Sequence, residues 1–140
     1  MTSDGNLTAL KHCYERWHET KGESTEDWLA LMDDRVDFRS LAMAQTPEIG
    51  FTAPRTGKEE VRYYLDGLLE DWSMEHYTID DYVVDGDRIC AVGTTAWVNK
   101  STGARASSPK LDYVRFKDGK IIAFHEFYDT AALIAAACGK

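Results

Sequence analysis

Much of the equipment of common enzyme classes is missing from this chain. There is no CxxC, HExxH or paired-histidine spacing, so no local motif points to a metal. No glycine-rich phosphate loop occurs either, and the expected cofactor is none. No apolar run approaches the length of a membrane span. The opening residues MTSDGNLTAL lack the basic and apolar segments of a secretory leader, so a soluble, cytoplasmic protein is expected. Positive charge is scarce: 16 Lys and Arg against 24 Asp and Glu give a net charge of −8. Nucleic-acid backbones and anionic membranes are therefore excluded as expected partners. The three cysteines, Cys13, Cys90 and Cys138, are odd in number and far apart, which suits free thiols in a reducing compartment.

What is present suits a folded protein. Hydrophobic residues make up 44% of 140 positions, enough for one domain spanning 1–140 with a real core. Leu7, Leu10, Tyr14 and Trp17 recur at helical spacing over 4–19, and Lys21-Gly22 ends that helix. A second helix is predicted over 25–33 with Ser24 as its cap, followed by a short alternating strand, VDFRSL, over 36–41. In that strand Val36 and Phe38 face one way, Asp37 and Arg39 the other. Residues 42–57 hold Pro47, Gly50, Pro54 and Gly57 and read as a long loop of the kind that walls a pocket. A Thr56–Glu59 capping box opens a third helix over 57–72. Its apolar stripe, Val61, Tyr64, Leu65, Leu68 and Trp72, packs a core, with part of it a candidate to line a pocket.

From residue 73 the pattern changes to strands. MEHYTIDDYVV turns at Asp85-Gly86 into RICAVGTTAWVNK. A strand then begins near Ser107, broken or bulged at Pro109. The last strands, in KLDYVRFKDGKIIAFHEFYD, flank Asp118-Gly119, a strong hairpin signal. The turn decides which residues share a face. A two-residue turn sets Asp112 opposite His125. A three-residue turn bulged at Gly119 sets it opposite Phe124 and gathers Lys110, Asp112, Phe124, Glu126 and Tyr128 on one face. Asp129 caps a short alanine-rich helix over 131–138.

Helices first and an antiparallel meander after them make an α+β layout, with a sheet curling around a long helix. That order, together with the ending RFKDGKIIAFHEFYD, resembles the NTF2-like superfamily, and within it the SnoaL-like and ketosteroid-isomerase-like members. The resemblance implies a cone-shaped, cystatin-like fold whose curved sheet wraps the N-terminal helices. It also implies a deep pocket on the concave face and a homodimer through the sheet. It does not imply one chemistry, because the fold hosts isomerases, cyclases, dehydratases, epoxide hydrolases and binding domains.

Carried over by position, the ketosteroid isomerases' oxyanion-hole aspartic acid falls on Asp112. Their general base falls on Arg39, which cannot accept a proton. Their oxyanion-hole tyrosine falls on Glu15, beside Tyr14. The acid that ends the epoxide-hydrolase-type strand falls on Glu126, but the Arg-x-Asp pair of those enzymes meets a neutral stretch, Gly93 to Ala96. Neither machinery is complete, whereas a SnoaL-like cyclase needs mainly one acid/base carboxylate in an apolar pocket.

The expected catalytic set is therefore Asp112 as neutral donor or acid, Glu126 as base and Arg39 as charge partner. Tyr14, Trp17, Tyr64, Leu68, Trp72, His76, Trp97, Phe124 and Tyr128 are the expected binding wall, suited to a small hydrophobic, flat ligand. Two readings stay open. One is a cofactor-independent isomerase, cyclase or lyase acting on a hydrophobic carbonyl compound. The other is a non-catalytic ligand-binding or dimerisation domain, in which Glu126 pairs with Lys110 or Arg39 structurally.

Overall fold

A computed structural model describes residues 3–139. Helix α1 (Ser3–Glu19) buries Leu10, Tyr14 and Trp17 of the stripe its spacing predicts, with Cys13 beside them and Leu7 half-buried. It stops where Lys21 and Gly22 both take positive φ. Helix α2 (Thr25–Leu31) passes straight into strand β1 (Met32–Ser40), which starts earlier than the alternation over 36–41 suggests. The predicted loop over 42–57 holds a 3-10 turn (Pro47–Thr52) and a two-residue strand, β2 (Arg55–Thr56), paired antiparallel to Asp37 and Phe38. Thr52 pins the 3-10 turn, accepting from the Ala44 N–H and donating to the Ile49 carbonyl.

Helix α3 (Lys58–Asp71) begins after Gly57, not Thr56, and the predicted capping box does not form; the Thr56 N–H donates to Glu60 instead. Trp72, read as the last residue of the apolar stripe, is the first residue of β3 (Trp72–Asp85). Strands β4 (Arg88–Asn99), β5 (Arg105–Lys117) and β6 (Lys120–Tyr128) follow, then helix α4 (Thr130–Ala137), capped by the Asp129 carboxylate on the Ala132 N–H. Strand β5 runs unbroken through Pro109, which lies beyond the last β5–β6 pair, Lys110 with Tyr128. On that side the missing N–H has no ladder to serve.

The six strands lie in the order β2-β1-β6-β5-β4-β3. β1 and β6 run parallel, and every other neighbouring pair is antiparallel. Leu10, Met32, Val36, Val61, Val114, Phe116 and Ile121, all essentially unexposed, fill the space between the concave face and the helices. The ladders carry four irregularities; one lies between Met32 and Asp37 where β1 meets β6, and the other three bear on the site. Two lie in β3, between Met74 and His76 and between Ile79 and Asp81. Opposite the second, a Cβ on Gly93 would meet the Thr78 carbonyl oxygen at 1.8 Å, so β3 crosses β4 closely enough to require glycine.

The third lies in the last hairpin. Asp118 and Gly119 both have positive φ in a two-residue turn between Lys117 and Lys120. A bulge between Arg115 and Phe116 then moves the register by one, so Asp112 faces Glu126, not His125 or Phe124. The resulting face carries the residues that the three-residue turn would have gathered, reached by a different route.

Candidate functional site

On β5 the inward positions run Ser108, Lys110, Asp112 and Val114, all buried. Asp112 is opposite Glu126 on β6, and Lys110 is opposite Tyr128. The Lys110 ammonium bridges the two acids, 2.5 Å from Asp112 Oδ1 and 2.6 Å from Glu126 Oε2. Asp112 Oδ2 accepts from the Tyr14 hydroxyl of α1 at 2.6 Å and from the Tyr77 hydroxyl of β3 at 2.7 Å. These two rings stack with centroids 5.8 Å apart. Three donors from three elements thus converge on one side chain of zero exposure, which satisfies a group that would be very costly to bury alone.

Burial acts on the cluster first, and the charges act against it. For Lys110 burial works downward, but Asp112 and Glu126 outweigh it and hold the ammonium above its ordinary range. The amine stays charged near neutral pH and is unavailable as a nucleophile. For Glu126 burial is the leading cause and raises the carboxyl; Lys110 opposes this, and the nearby Asp112 adds to it. Tyr14 and Tyr77 are pushed well up by burial and then by Asp112, so both keep their protons and donate. Tyr128 rises to about 12, by burial and then by Glu126, and its hydroxyl lies 2.5 Å from Ser40 Oγ. Tyr64 rises for the same two reasons.

Above this cluster the concave face encloses a cavity of about 90 Å³. Glu126, Lys110, Tyr64, Tyr77 and Tyr128 form its polar side; Trp17, Trp28, Phe38, Trp97 and Phe124 are among its aromatic walls. Phe38 and Phe124 stack at 5.2 Å, and Trp28 meets Phe124 edge-on at 5.5 Å. The 3-10 turn contributes Phe51, and α4 contributes Ala132 and Leu133.

Of the expected wall, Trp17, Tyr64, Leu68, Trp72, Trp97, Phe124 and Tyr128 line this cavity. Tyr14 and Asp112 stand behind it, joined to it through Lys110 and Tyr77. Arg39 does not take part. It points to the other face of β1, pairs with Asp37 at 3.1 Å, and its side chain is 57% exposed. Ser40, the next residue, is the one that faces inward, opposite Glu126. His76 is also outside, near Thr78 Oγ1. The ladder irregularity between Met74 and His76 reverses the alternation and turns Tyr77 inward in its place. Asp112, expected as a neutral donor, is an acceptor three times over, and the cavity does not reach it.

Tyr77, Lys110, Trp28 and Phe38 belong to the site but are absent from the expected set. Lys110 was visible on the hairpin face. Tyr77 depends on a bulge with no distinctive residue to announce it. Among the described residues no group of three or more His, Cys, Asp or Glu is placed to hold a metal.

A family model for the SnoaL-like domain matches residues 10–124. The chain belongs to the SnoaL-like domain family. The solved structures place this SnoaL-like chain in the NTF2-like fold. An NTF2-like protein of unknown function from Burkholderia pseudomallei superposes with a TM-score of 0.80 at 20% identity, covering 95% of this chain and 97% of that one. TerC, co-crystallised with polyporic acid, gives 0.77 at 17% identity, with 95% and 98% covered. A protein of ketosteroid isomerase-like fold from Catenulispora acidiphila, in complex with trimethylamine, gives 0.74 at 14% identity, with 93% and 92% covered. The sequence matches no curated protein. Tyr14, not its neighbour Glu15, lies on the buried face of α1 and donates to Asp112.

Proposed function

We propose that this SnoaL-like protein binds a small hydrophobic carbonyl compound and moves a proton on it without a cofactor, as an isomerase, cyclase or lyase does. The observation that carries the reading is Glu126. It is a carboxyl on the wall of an apolar cavity, raised by burial, with a fixed ammonium beside it. Burial brings its proton affinity toward neutral pH, where a carboxyl can both take and return a proton. Glu126 removes a hydrogen from the carbon beside the carbonyl. Lys110, held charged by Asp112, faces the developing enolate oxygen, where a preoriented cation counts for most in a dry site. Glu126 then returns the proton at another carbon or to the oxygen. Asp112, with Tyr14 and Tyr77, positions Lys110 and does not touch substrate.

The test is exchange of the hydrogens beside the carbonyl of small aryl and cyclic ketones for solvent deuterium, followed by NMR. Catalysed exchange that disappears in Glu126→Gln supports the proposal. Exchange that is unaffected, or absent from the wild-type protein for every ketone tried, supports the second reading, a non-catalytic ligand-binding or dimerisation domain. That second reading draws on the closure of the cluster, since Lys110 already engages both acids.

The homodimer belongs to the same proposal. Leu41, Val92, Leu111 and Phe127 line one shallow groove on the outer face of the sheet. Leu41, Val92 and Phe127 are exposed there, an apolar surface suited to a second copy. Sedimentation of the wild type and of Phe127→Glu reads it: a dimer that the charge dissociates is expected.

A further inference from the structure

A histidine at the edge of the sheet takes no part in the proton transfer proposed above. Strand β3 ends the strand order, so alternate backbone N–H groups point away from β4 and need partners from outside the sheet. At Tyr77 the partner is His18, in the last turn of α1: the Tyr77 N–H donates to His18 Nδ1 at 3.2 Å. Because Nδ1 accepts, the ring carries its proton on Nε2. His18 is half-buried, and its own carbonyl accepts from the Lys21 N–H at 3.2 Å and from the Lys21 ammonium at 2.9 Å. The turn that ends α1 therefore fixes its place.

This contact falls at the irregularity that decides which way Tyr77 faces. Glu75 is the extra residue there, between the Met74–Trp97 and His76–Ala96 pairs. Side chains from three elements pin the bulge. Arg105 of β5 meets the Glu75 carboxylate at 2.6 Å, Thr95 Oγ1 of β4 donates to the His76 carbonyl at 3.0 Å, and His18 of α1 takes the Tyr77 N–H. Of these, His18 acts on the backbone of Tyr77 itself. From there the Tyr77 hydroxyl reaches Asp112 Oδ2 at 2.7 Å, Asp112 Oδ1 holds Lys110, and Lys110 holds Glu126. A continuous line of hydrogen bonds thus runs from α1 to the acid on the cavity wall.

We propose that His18 is a positioning residue: its unprotonated Nδ1 anchors Tyr77 so that the hydroxyl stays on Asp112 and Lys110 stays shared between Asp112 and Glu126. Without the anchor the Tyr77 ring is free to leave Asp112. Asp112 then draws the Lys110 ammonium toward itself and away from Glu126, and its own charge bears on Glu126 with less compensation. Both changes favour the protonated form of Glu126. The consequence for catalysis rests on the proton transfer proposed at Glu126; the anchoring does not.

The test is NMR on the full chain without ligand. At mildly alkaline pH the wild-type His18 ring should show a bare Nδ1 and a protonated Nε2; a proton on Nδ1 overturns the inference. His18→Leu removes the acceptor. It should speed amide exchange at Tyr77 by about 3- to 10-fold, the range of one neutral hydrogen bond, and move the Glu126 carboxyl midpoint further up. His18→Asn sets its side-chain carbonyl oxygen where histidine has Nδ1, and should return both readings to near the wild-type values. Tyr77→Phe should also raise the Glu126 midpoint, and His18→Leu added to it should raise it no further. A histidine that merely stabilises the fold would not follow that order. A Glu126 midpoint unmoved in His18→Leu, no recovery in His18→Asn, or a full extra shift in the double variant overturns the inference. If His18→Leu does not fold, His18→Gln, whose carbonyl lies one carbon further out, takes its place. A wild-type Glu126 midpoint at the ordinary glutamate value overturns only the proton transfer, because the anchoring is read from changes across the variants.

Discussion

Two clusters of paired charges sit on opposite faces of the sheet and share strand β6. On the concave side Lys110 bridges Asp112 and Glu126; on the convex side Asp37 meets Arg39 at 3.1 Å and His125 at 3.2 Å. They are one residue apart in register, Arg39 beside His125 and Ser40 beside Glu126. The ingredients are the same, acids and cations on adjacent strands, and the solvent is not. The side chains of Lys110 and Asp112 are 4% and 0% exposed, those of Arg39 and Asp37 57% and 41%. Water screens the outer pair and supplies its missing hydrogen bonds, so little depends on it. The inner cluster has only its own members and the hydroxyls of Tyr14 and Tyr77, so each group's charge is set by the others.

The comparison breaks most readily at Lys110. Lys110→Met leaves two acids buried without their cation and should cost about 3–5 kcal/mol in urea unfolding, whereas Arg39→Met should stay within about 0.5 kcal/mol. Equal costs would remove the distinction between the faces. Next comes Asp112→Asn, which replaces an acceptor of three hydrogen bonds by a group that also donates; about 2–3 kcal/mol is expected from the same unfolding curves.

Glu126→Gln sharpens the comparison through pH. A carboxyl raised on folding contributes stability that is complete below its unfolded value and is lost as pH rises through its folded value. The Gln variant has no such loss. Its stability relative to the wild type should therefore climb from mildly acidic to neutral pH, read as unfolding midpoints across that range. The smallest effect belongs to the outer face: a double-mutant cycle on Asp37 and Arg39 should return about 0.2–1 kcal/mol and shrink in high salt.

The helices, the antiparallel meander and the Asp-Gly hairpins were legible because each rests on local chemistry: helical spacing, a change to strand composition, and turn residues with positive φ; the parallel pairing of β1 with β6 and the short β2 were not. Asp112, Glu126 and most of the aromatic wall followed from the former. The misplacements trace to single-residue shifts. Arg39 entered by alignment to a family position, although its own alternation with Phe38 already turned it away from the core. His76 entered because strict alternation puts it inward with Met74, and one irregularity turns Tyr77 inward instead. In a bulged sheet, pattern identifies which residues share a strand, but the bulge decides which face they meet, and ordinary side chains mark its position. Lys110 was legible as a face residue; its place between two acids was not, because Asp112 and Glu126 become direct neighbours only through the bulge near Phe116.

The central claim is that Glu126 is a raised carboxyl on a cavity wall, fit to carry a proton near neutral pH. Its most direct test is a carbon-13 NMR titration of the glutamate side-chain carboxyls, with Glu126→Gln assigning the resonance. A Glu126 midpoint clearly above the usual glutamate value of about 4.3 is the predicted result. A midpoint at or below that value would mean that Lys110 outweighs burial, that the cluster is a structural ion pair, and that the proton-transfer account is wrong.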